Sequence, residues 1–259
     1  MSIDFNAAHQ HDAYTGRDAQ DSWIALMASL VDARNKNVAD IGCGGAVYSR
    51  AWVELGAKQV AAIDSSKVML EDAQRETKGI AQIKVLEGEA LASGLANKSQ
   101  DIVFQRALIH HLSLEDQLHC FAESYRVLAA NGVYIIQDRT QEDVRYAGSP
   151  EHIRGYLFEC FPRLLTFEAK RRPTAELVKQ GLKSVGFRSV KQLSFWEDRL
   201  LYPNIEALQQ EFSARKGRSI LHELTDAELE QLIAYISPKV TAHMPLMDKD
   251  SWTIWVAQK

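Results

Sequence analysis

No Cys-x-x-Cys spacing occurs in this chain, and its three cysteines, Cys43, Cys120 and Cys160, are scattered and odd in number. A disulfide framework is thereby excluded, and neither a zinc site nor any other metal site is indicated. Basic excess is missing too: 30 Lys and Arg stand against 34 Asp and Glu, for a formal charge of -4. The pI is near 6.1, so the sequence lacks the broad cationic face of a dedicated nucleic-acid binder. Its one dense basic cluster, Lys170-Arg171-Arg172 before a proline, reads as a solvated helix or loop end. Nothing reaches the ~18 consecutive apolar residues of a membrane span. Residues 1–18 have no basic flank followed by an apolar stretch, so no secretory leader is read there. Together these absences lead us to expect a soluble cytoplasmic protein in a reducing compartment, with no membrane partner and nucleic acid disfavoured.

The apolar residues that are present alternate between two periods. Trp23, Ile24, Met27, Leu30 and Val31 recur at helical spacing between Arg17 and Arg34, with Asp18 or Asp21 as the cap. Apolar runs at 37–41, 59–63, 83–86 and 101–105 read as short buried strands, and helical patterns follow them at 52–55, 67–76 and 114–129. Asn131-Gly132 is read as a turn into a fifth strand, Val133 to Asp138. Strands alternating with helices imply parallel pairing through right-handed crossovers, hence a doubly wound sheet that binds ligand at its strands' carboxyl ends.

Chemistry concentrates at the end of the first strand. In VADIGCGGAVYSR (38–50) Asp40, Gly42 and Gly44 occupy a strand-to-helix junction, where glycine permits positive φ and close approach of a ligand. Asp64 ends the next strand, where a carboxylate can accept hydrogen bonds from two ribose hydroxyls. Both features suit a nicotinamide dinucleotide and an adenosyl cofactor alike, so the glycine register has to decide. G-x-G-x-x-G requires glycine at position 47, and Val47 stands there. An acidic residue at position 40 also sits better beside a cationic amino acid moiety than beside a pyrophosphate. S-adenosylmethionine (SAM) is the better occupant.

Asp40-Ile41-Gly42-Cys43-Gly44, Ala62-Ile63-Asp64-Ser65-Ser66 and Glu87-Gly88-Glu89-Ala90 resemble, in order, the first three motifs of class I SAM-dependent methyltransferases, specifically the small-molecule type with a D-x-G-C-G signature. DIVFQRALIHHL (101–112) and YRVLAANGVYIIQD (125–138) resemble the family's fourth and fifth strands, so the likeness runs from about residue 12 to 139. Two departures are Glu89, where Asp is usual, and Asn131, in place of the first of two glycines. The resemblance implies that Gly42, Cys43 and Gly44 pack against the methionine part of SAM, with Asp40 near its amino group. Asp64 would hold the ribose, Ser65 and Met69 would flank the adenine edge, and Glu89 and Ala90 would contact its polar rim. Arg106 would lie beside the cofactor, and Tyr14 and Arg17 match a Y-x-x-R segment that folds over the methionine end.

His110 and His111, just past the fourth strand, are the candidates for a general base. The fold expected is a Rossmann-like, mostly parallel seven-stranded sheet with an antiparallel last strand, plus a helical insert. Residues 1–139 would form the SAM-binding core, and 174–202 with 249–259 would complete its sheet. Segments 140–173 and 203–248 would form a helical cap over the substrate side, because a hairpin does not need some 45 residues. Tyr156, Phe158, Phe161 and Phe167 are read as mostly core, and Trp196, Trp252 and Trp255 as strand residues. The activity expected is methyl transfer to a small-molecule acceptor, with S-adenosylhomocysteine (SAH) as co-product. An RNA or protein methyltransferase, a nicotinamide-dependent oxidoreductase and a non-catalytic SAM-binding protein are the alternatives.

Overall fold

The computed structural model describes residues 15, 16, 18–215 and 217–259; Tyr14 and Arg17 lie outside the described residues. The first helix, α1, runs over Asp21–Leu30, shorter than the spacing predicted, and its N-cap is Gln20 rather than an aspartate. A local competitor ends it: Asp32 accepts hydrogen bonds from the backbone N–H and the side chain of Arg34, which offers the chain a turn in place of another helical one. Trp23 and Met27, four residues apart on one face, are fully buried.

Seven strands follow: β1 (Asn37–Ile41), β2 (Gln59–Asp64), β3 (Ile83–Glu87), β4 (Gln100–Arg106), β5 (Leu128–Asp138), β6 (Ser189–Tyr202) and β7 (Leu246–Gln258). They form one sheet in the order β3-β2-β1-β4-β5-β7-β6. β1 pairs in parallel with both β2 and β4, β2 with β3 and β4 with β5 likewise, and β5 pairs antiparallel with β7. The chain leaves β1 in one direction and returns to β4 on its other side, so the order reverses between these strands, the point at whose carboxyl ends sheets of this kind bind ligands. Helices α2 (Val47–Glu54), α3 (Lys67–Glu76) and α4 (Leu114–Val127) connect the parallel strands.

Two expectations are corrected here. Asn131-Gly132 is no turn before the strand: β5 starts at Leu128, and its register with β4 shifts between Gln100 and Ile102. Asn131 takes φ +63, a conformation asparagine tolerates, and makes this irregularity within the strand. β6 runs on to Tyr202 through the polar stretch Glu197-Asp198-Arg199, in which Glu197 is buried and Arg199 ion-paired. Arg171 and Arg172 are not a solvated helix end, since both pair with the buried carboxylate of Glu168.

The described chain divides into two units. The first comprises Met1–Asp138, Ala175–Ser194 and Thr253–Lys259, and the second Arg139–Thr174 and Phe195–Trp252. The first unit holds α7 (Ala175–Val185) besides the elements above, and Val103, Phe121, Tyr134, Leu182 and Trp255 lie in its core. Trp255 also donates its indole N–H to the carbonyl of Ala175, at 3.2 Å.

The second unit has its own core, built by α5 (Ile153–Cys160), α6 (Pro162–Arg171), α8 (Ile205–Ser213) and α9 (Asp226–Val240). Leu157, Phe158, Leu208, Phe212, Leu232 and Ile236 are buried together, with Tyr156 among them and Phe161 and Phe167 packed against them. Thr225 and Glu228 form a capping box that starts α9. Trp252 is buried, whereas Trp196 stands 41% exposed against the rings of Tyr146 and His152.

Beside this apolar core the second unit buries an ionic one. Asp248 accepts from Arg218, from Arg199 and from the N–H of Ile153. Glu211 pairs with the same two arginines, and Asp250 accepts from Arg139 at 2.7 Å and Arg154 at 3.0 Å. Burial alone would raise Asp250, yet Arg139 and Arg154 hold its carboxyl well below the usual carboxylate range. Removing one partner of such a network strands buried charge. Asp248→Asn is expected to cost about 3–5 kcal/mol of unfolding free energy, read from the urea midpoint of the second unit's transition.

Candidate active site

Three loops at the strand ends are tied together by one residue. The side chain of Asp64, last in β2, accepts the N–H of Gly44 through one oxygen and that of Ser66 through the other, both at 2.9 Å. Its backbone carbonyl accepts the N–H of Gly88 at 3.1 Å. The loops after β1, β2 and β3 are thus set by a single half-buried aspartate. Gly42 and Cys43 both donate to the carbonyl of Ile63. A Cβ on Gly42 would stand 2.2 Å from Cδ1 of Leu108, and its φ is +78, so any other residue there would strain the backbone and push Leu108 aside. Ala46 also holds positive φ, at +60, and begins α2 without a side-chain cap.

Beneath this loop lies Asp40, which accepts the hydroxyl proton of Ser49 at 2.6 Å. Burial pushes its carboxyl up to about 7, with Ser49 acting against that, Asp64 adding to it and Arg106 opposing it. Asp64 is raised as well, chiefly by burial. Arg106 ends β4 with its guanidinium 4.5 Å above the Tyr48 ring. The Cys43 thiol is buried, and burial with the neighbouring carboxylates Asp40 and Asp64 pushes it well above the ordinary thiol range; it packs among Ala46, Ala62 and Ala73. Met69 is likewise buried, whereas Ser65 is exposed.

Glu89 is exposed and Ala90 half-buried, on a loop closed by a bridge between Glu89 and Ala92. Ser93 fixes that loop to α4, donating its N–H and hydroxyl to Glu123, and Arg126 in turn clamps Glu123. The two histidines part company. His110 is buried, its Nδ1 lying 2.9 Å from both carboxylate oxygens of Asp138 at the end of β5. His111 is exposed, its ring 4.0 Å from that of His110. Ser49, Glu123 and Asp138 are absent from the sequence-derived site. Asp138 alone carried a signal, being the acidic residue that ends an apolar strand beside β4.

Residues 39–136 match the family model described as a methyltransferase domain. A ribosomal protein L11 methyltransferase of Legionella pneumophila is 29% identical over 123 residues, 46% of this chain and 41% of the relative. The alignment thus spans about two fifths of that relative's length. An uncharacterized 37.1 kDa protein in a transposon of Streptomyces fradiae is 29% identical over 124 residues, 47% of this chain and 35% of its own. Among solved structures, a protein of Anabaena variabilis provisionally described as a methyltransferase from an antibiotic biosynthesis pathway superposes with TM-score 0.70 at 20% identity, covering 90% of this chain and 95% of that one. Phosphoethanolamine N-methyltransferase 2 of Haemonchus contortus, in complex with phosphomonomethylethanolamine and SAH, superposes with TM-score 0.59 at 18% identity, covering 92% and 52%.

Residues 39–136 thus match a methyltransferase domain, and the chain shares its fold with that Anabaena protein; SAM is the cofactor such a match implies. The residues present fit that cofactor. Asp40 and Asp64 both lie at the glycine loop, burial raises both, and Asp64 raises Asp40 further; a cation there would favour their charged forms, which suits a sulfonium with its amino group and opposes a pyrophosphate. Among the described residues no group of three or more His, Cys, Asp or Glu side chains could hold a metal ion, and no helix is long and apolar enough to cross a membrane.

Asp40 makes the stability of the first unit depend on pH. Raised from 3.8 to about 7, it keeps its proton when folded over a window in which the unfolded chain has lost it. The unfolded state binds fewer protons there, so this group's contribution falls as pH rises from about 4 to about 7. Denaturation midpoints measured across that window should decline in the wild type and decline less in Asp40→Asn; an identical slope would assign the effect to another group.

Proposed function

We propose that the whole chain is a SAM-dependent methyltransferase acting on a small molecule, with residues 139–174 and 195–252 forming the part that encloses the acceptor. The observation that carries this reading is the second unit itself, a separately cored insertion of a size no sheet connection requires. Support comes from the absence of cationic excess in the sequence and from a structural neighbour crystallised with phosphomonomethylethanolamine. A protein acceptor is the second reading, favoured by the match to ribosomal protein L11 methyltransferases. That match spans 46% of the chain, a length suited to the cofactor-binding part that methyltransferases of different acceptors share.

When bound, SAM supplies an electrophilic methyl group on sulfur. Asp64 would hold the ribose hydroxyls, the backbone of Gly42 to Gly44 and the carboxylate of Asp40 would face the methionine part, and Ser65, Met69, Glu89 and Ala90 would line the adenine. Arg106 would stand beside the cofactor, as would Tyr14 and Arg17 from outside the described residues. The protein's own contribution is alignment and exclusion of water, effects worth up to ~7–11 kcal/mol in well-oriented systems.

Asp64→Ala is expected to weaken SAM and SAH by roughly tenfold or more, the loss of hydrogen bonds to a charged group, in calorimetric titrations of a variant whose circular dichroism is unchanged. NADH should bind neither protein; NADH binding with no SAM binding would move the chain to redox chemistry. Methyl-labelled SAM offered with ribosomal proteins or with the small-molecule fraction of a cell extract separates the two acceptors, and label in the small molecules alone is the expected result.

A further inference from the structure

Arg154, in the first turn of α5, has its backbone fixed by contacts on either side of it in the chain. Just before it, the N–H of Ile153 donates to Asp248 at 3.1 Å, and Nδ1 of His152 lies 3.0 Å from the carbonyl of Lys249. Just after it, a Cβ on Gly155 would stand 2.3 Å from the backbone nitrogen of Gly148, so the helix rests directly on the loop at 147–148. The side chain is 5% exposed and donates from Nε to Asp250 at 3.0 Å. Its two Nη groups meet no acceptor among the described residues. Nor are they sealed from water, as the unpartnered Nε atoms of Arg171 and Arg218 are.

The carboxylates near this arginine are already shared. Asp250 pairs with Arg139 as well as Arg154, and Glu168 pairs with Arg171 and Arg172. Burial would raise Glu168, yet Arg172, Arg171 and Arg154 hold its carboxyl below the usual carboxylate range, so Arg154 acts on both acids while bonding one. Burial lowers the Arg171 guanidinium, with Arg172 and Arg154 adding to that and Glu168 opposing it. Asp143, a further buried acid of this segment, accepts from Thr140 and Ser251.

We propose that the Nη fork of Arg154 receives an oxyanion, a carboxylate or phosphate group, carried by the methyl acceptor. This rests on the reading of the second unit as the part that encloses a small-molecule acceptor, and narrows that acceptor to an acid. Guanidinium presents its N–H groups in a plane that matches two oxygens of such a group, and bonds between charged partners are roughly twice as strong as neutral ones. Because Asp250 already holds Nε, the fork is ordered before the ligand arrives, which spares the binding step that cost. The ligand's negative charge also offsets the repulsion of Arg154 by Arg171 and Arg172. A neutral or cationic acceptor would leave the fork to water.

The first test is nitrogen NMR of the whole chain labelled with ¹⁵N-arginine, titrated separately with inorganic phosphate, with acetate and, as the ionic-strength control, with chloride. Arg154→Lys, which keeps a cation against Asp250 but removes the fork, assigns the Arg154 signal. That signal should shift saturably with phosphate or acetate, the tighter of the two naming the acceptor's acid, and not with chloride. Phosphate and acetate that move Arg154 no more than chloride does, or that move the exposed Arg163 equally, overturn the proposal. The second test offers methyl-labelled SAM with the small-molecule fraction of a cell extract and identifies the labelled products by mass spectrometry. Label should appear on molecules bearing a carboxylate or phosphate. Arg154→Lys should raise KM for such an acceptor about tenfold or more with SAH affinity the same, and should change nothing further for the acceptor with its acid capped as an ester. Label confined to molecules without an acid group, or an unchanged KM in Arg154→Lys, overturns the proposal. With no small molecule labelled by the wild type, the small-molecule reading falls, and the phosphate and acetate titrations still decide whether Arg154 binds an oxyanion.

Discussion

Asp64 spends all three of its acceptors on backbone: the carboxylate on the N–H groups of Gly44 and Ser66, the carbonyl on that of Gly88. Parallel strands alone would align the ends of β1, β2 and β3 without specifying how their loops turn. The aspartate does that, at a point where glycine at 42 lets Leu108 approach from the β4 loop. The loops after β1, β2 and β3 are arranged around this knot.

A carboxylate used this way is costly to bury, and its charge also raises the buried carboxyl of Asp40 nearby. Among the described residues, neither has an arginine locked onto it in the manner of Asp250 or Asp248 in the second unit, where guanidinium and carboxylate answer one another directly. The two units treat charge in opposite ways. The second neutralises its buried carboxylates internally, and the first keeps two that a ligand's positive charge would relieve.

The strand-turn-helix units and the positions of Gly42, Gly44 and Asp64 were readable because they are local: hydrophobic period, turn residues and an acidic strand end fall within short stretches of chain. The pairing of His110 with Asp138 joins residues on two strand ends and has no such signature, and neither does the bond from Ser49 to Asp40, made by a serine inside a helix. Glu168, Arg171 and Arg172 misled for another reason. A basic triplet before a proline looks the same whether it meets water or a buried glutamate three and four residues back, and only the packing of α6 distinguishes the two. The break in register at Asn131 was mistaken for a turn because asparagine next to glycine favours positive φ in either setting.

One consequence of the sheet order concerns how the protein comes to be folded. The strands from β3 across to β5 come entirely from residues before 139, so most of the parallel sheet can assemble early. The antiparallel neighbour of β5 is supplied by residues 253–258, and both segments of the second unit lie within the intervening chain. Closing a loop of roughly a hundred residues or more is entropically slow. During synthesis the apolar edge of β5 must wait, unpaired, until the second unit has been made, and that interval is when the nascent chain is most open to pairing with the wrong strand.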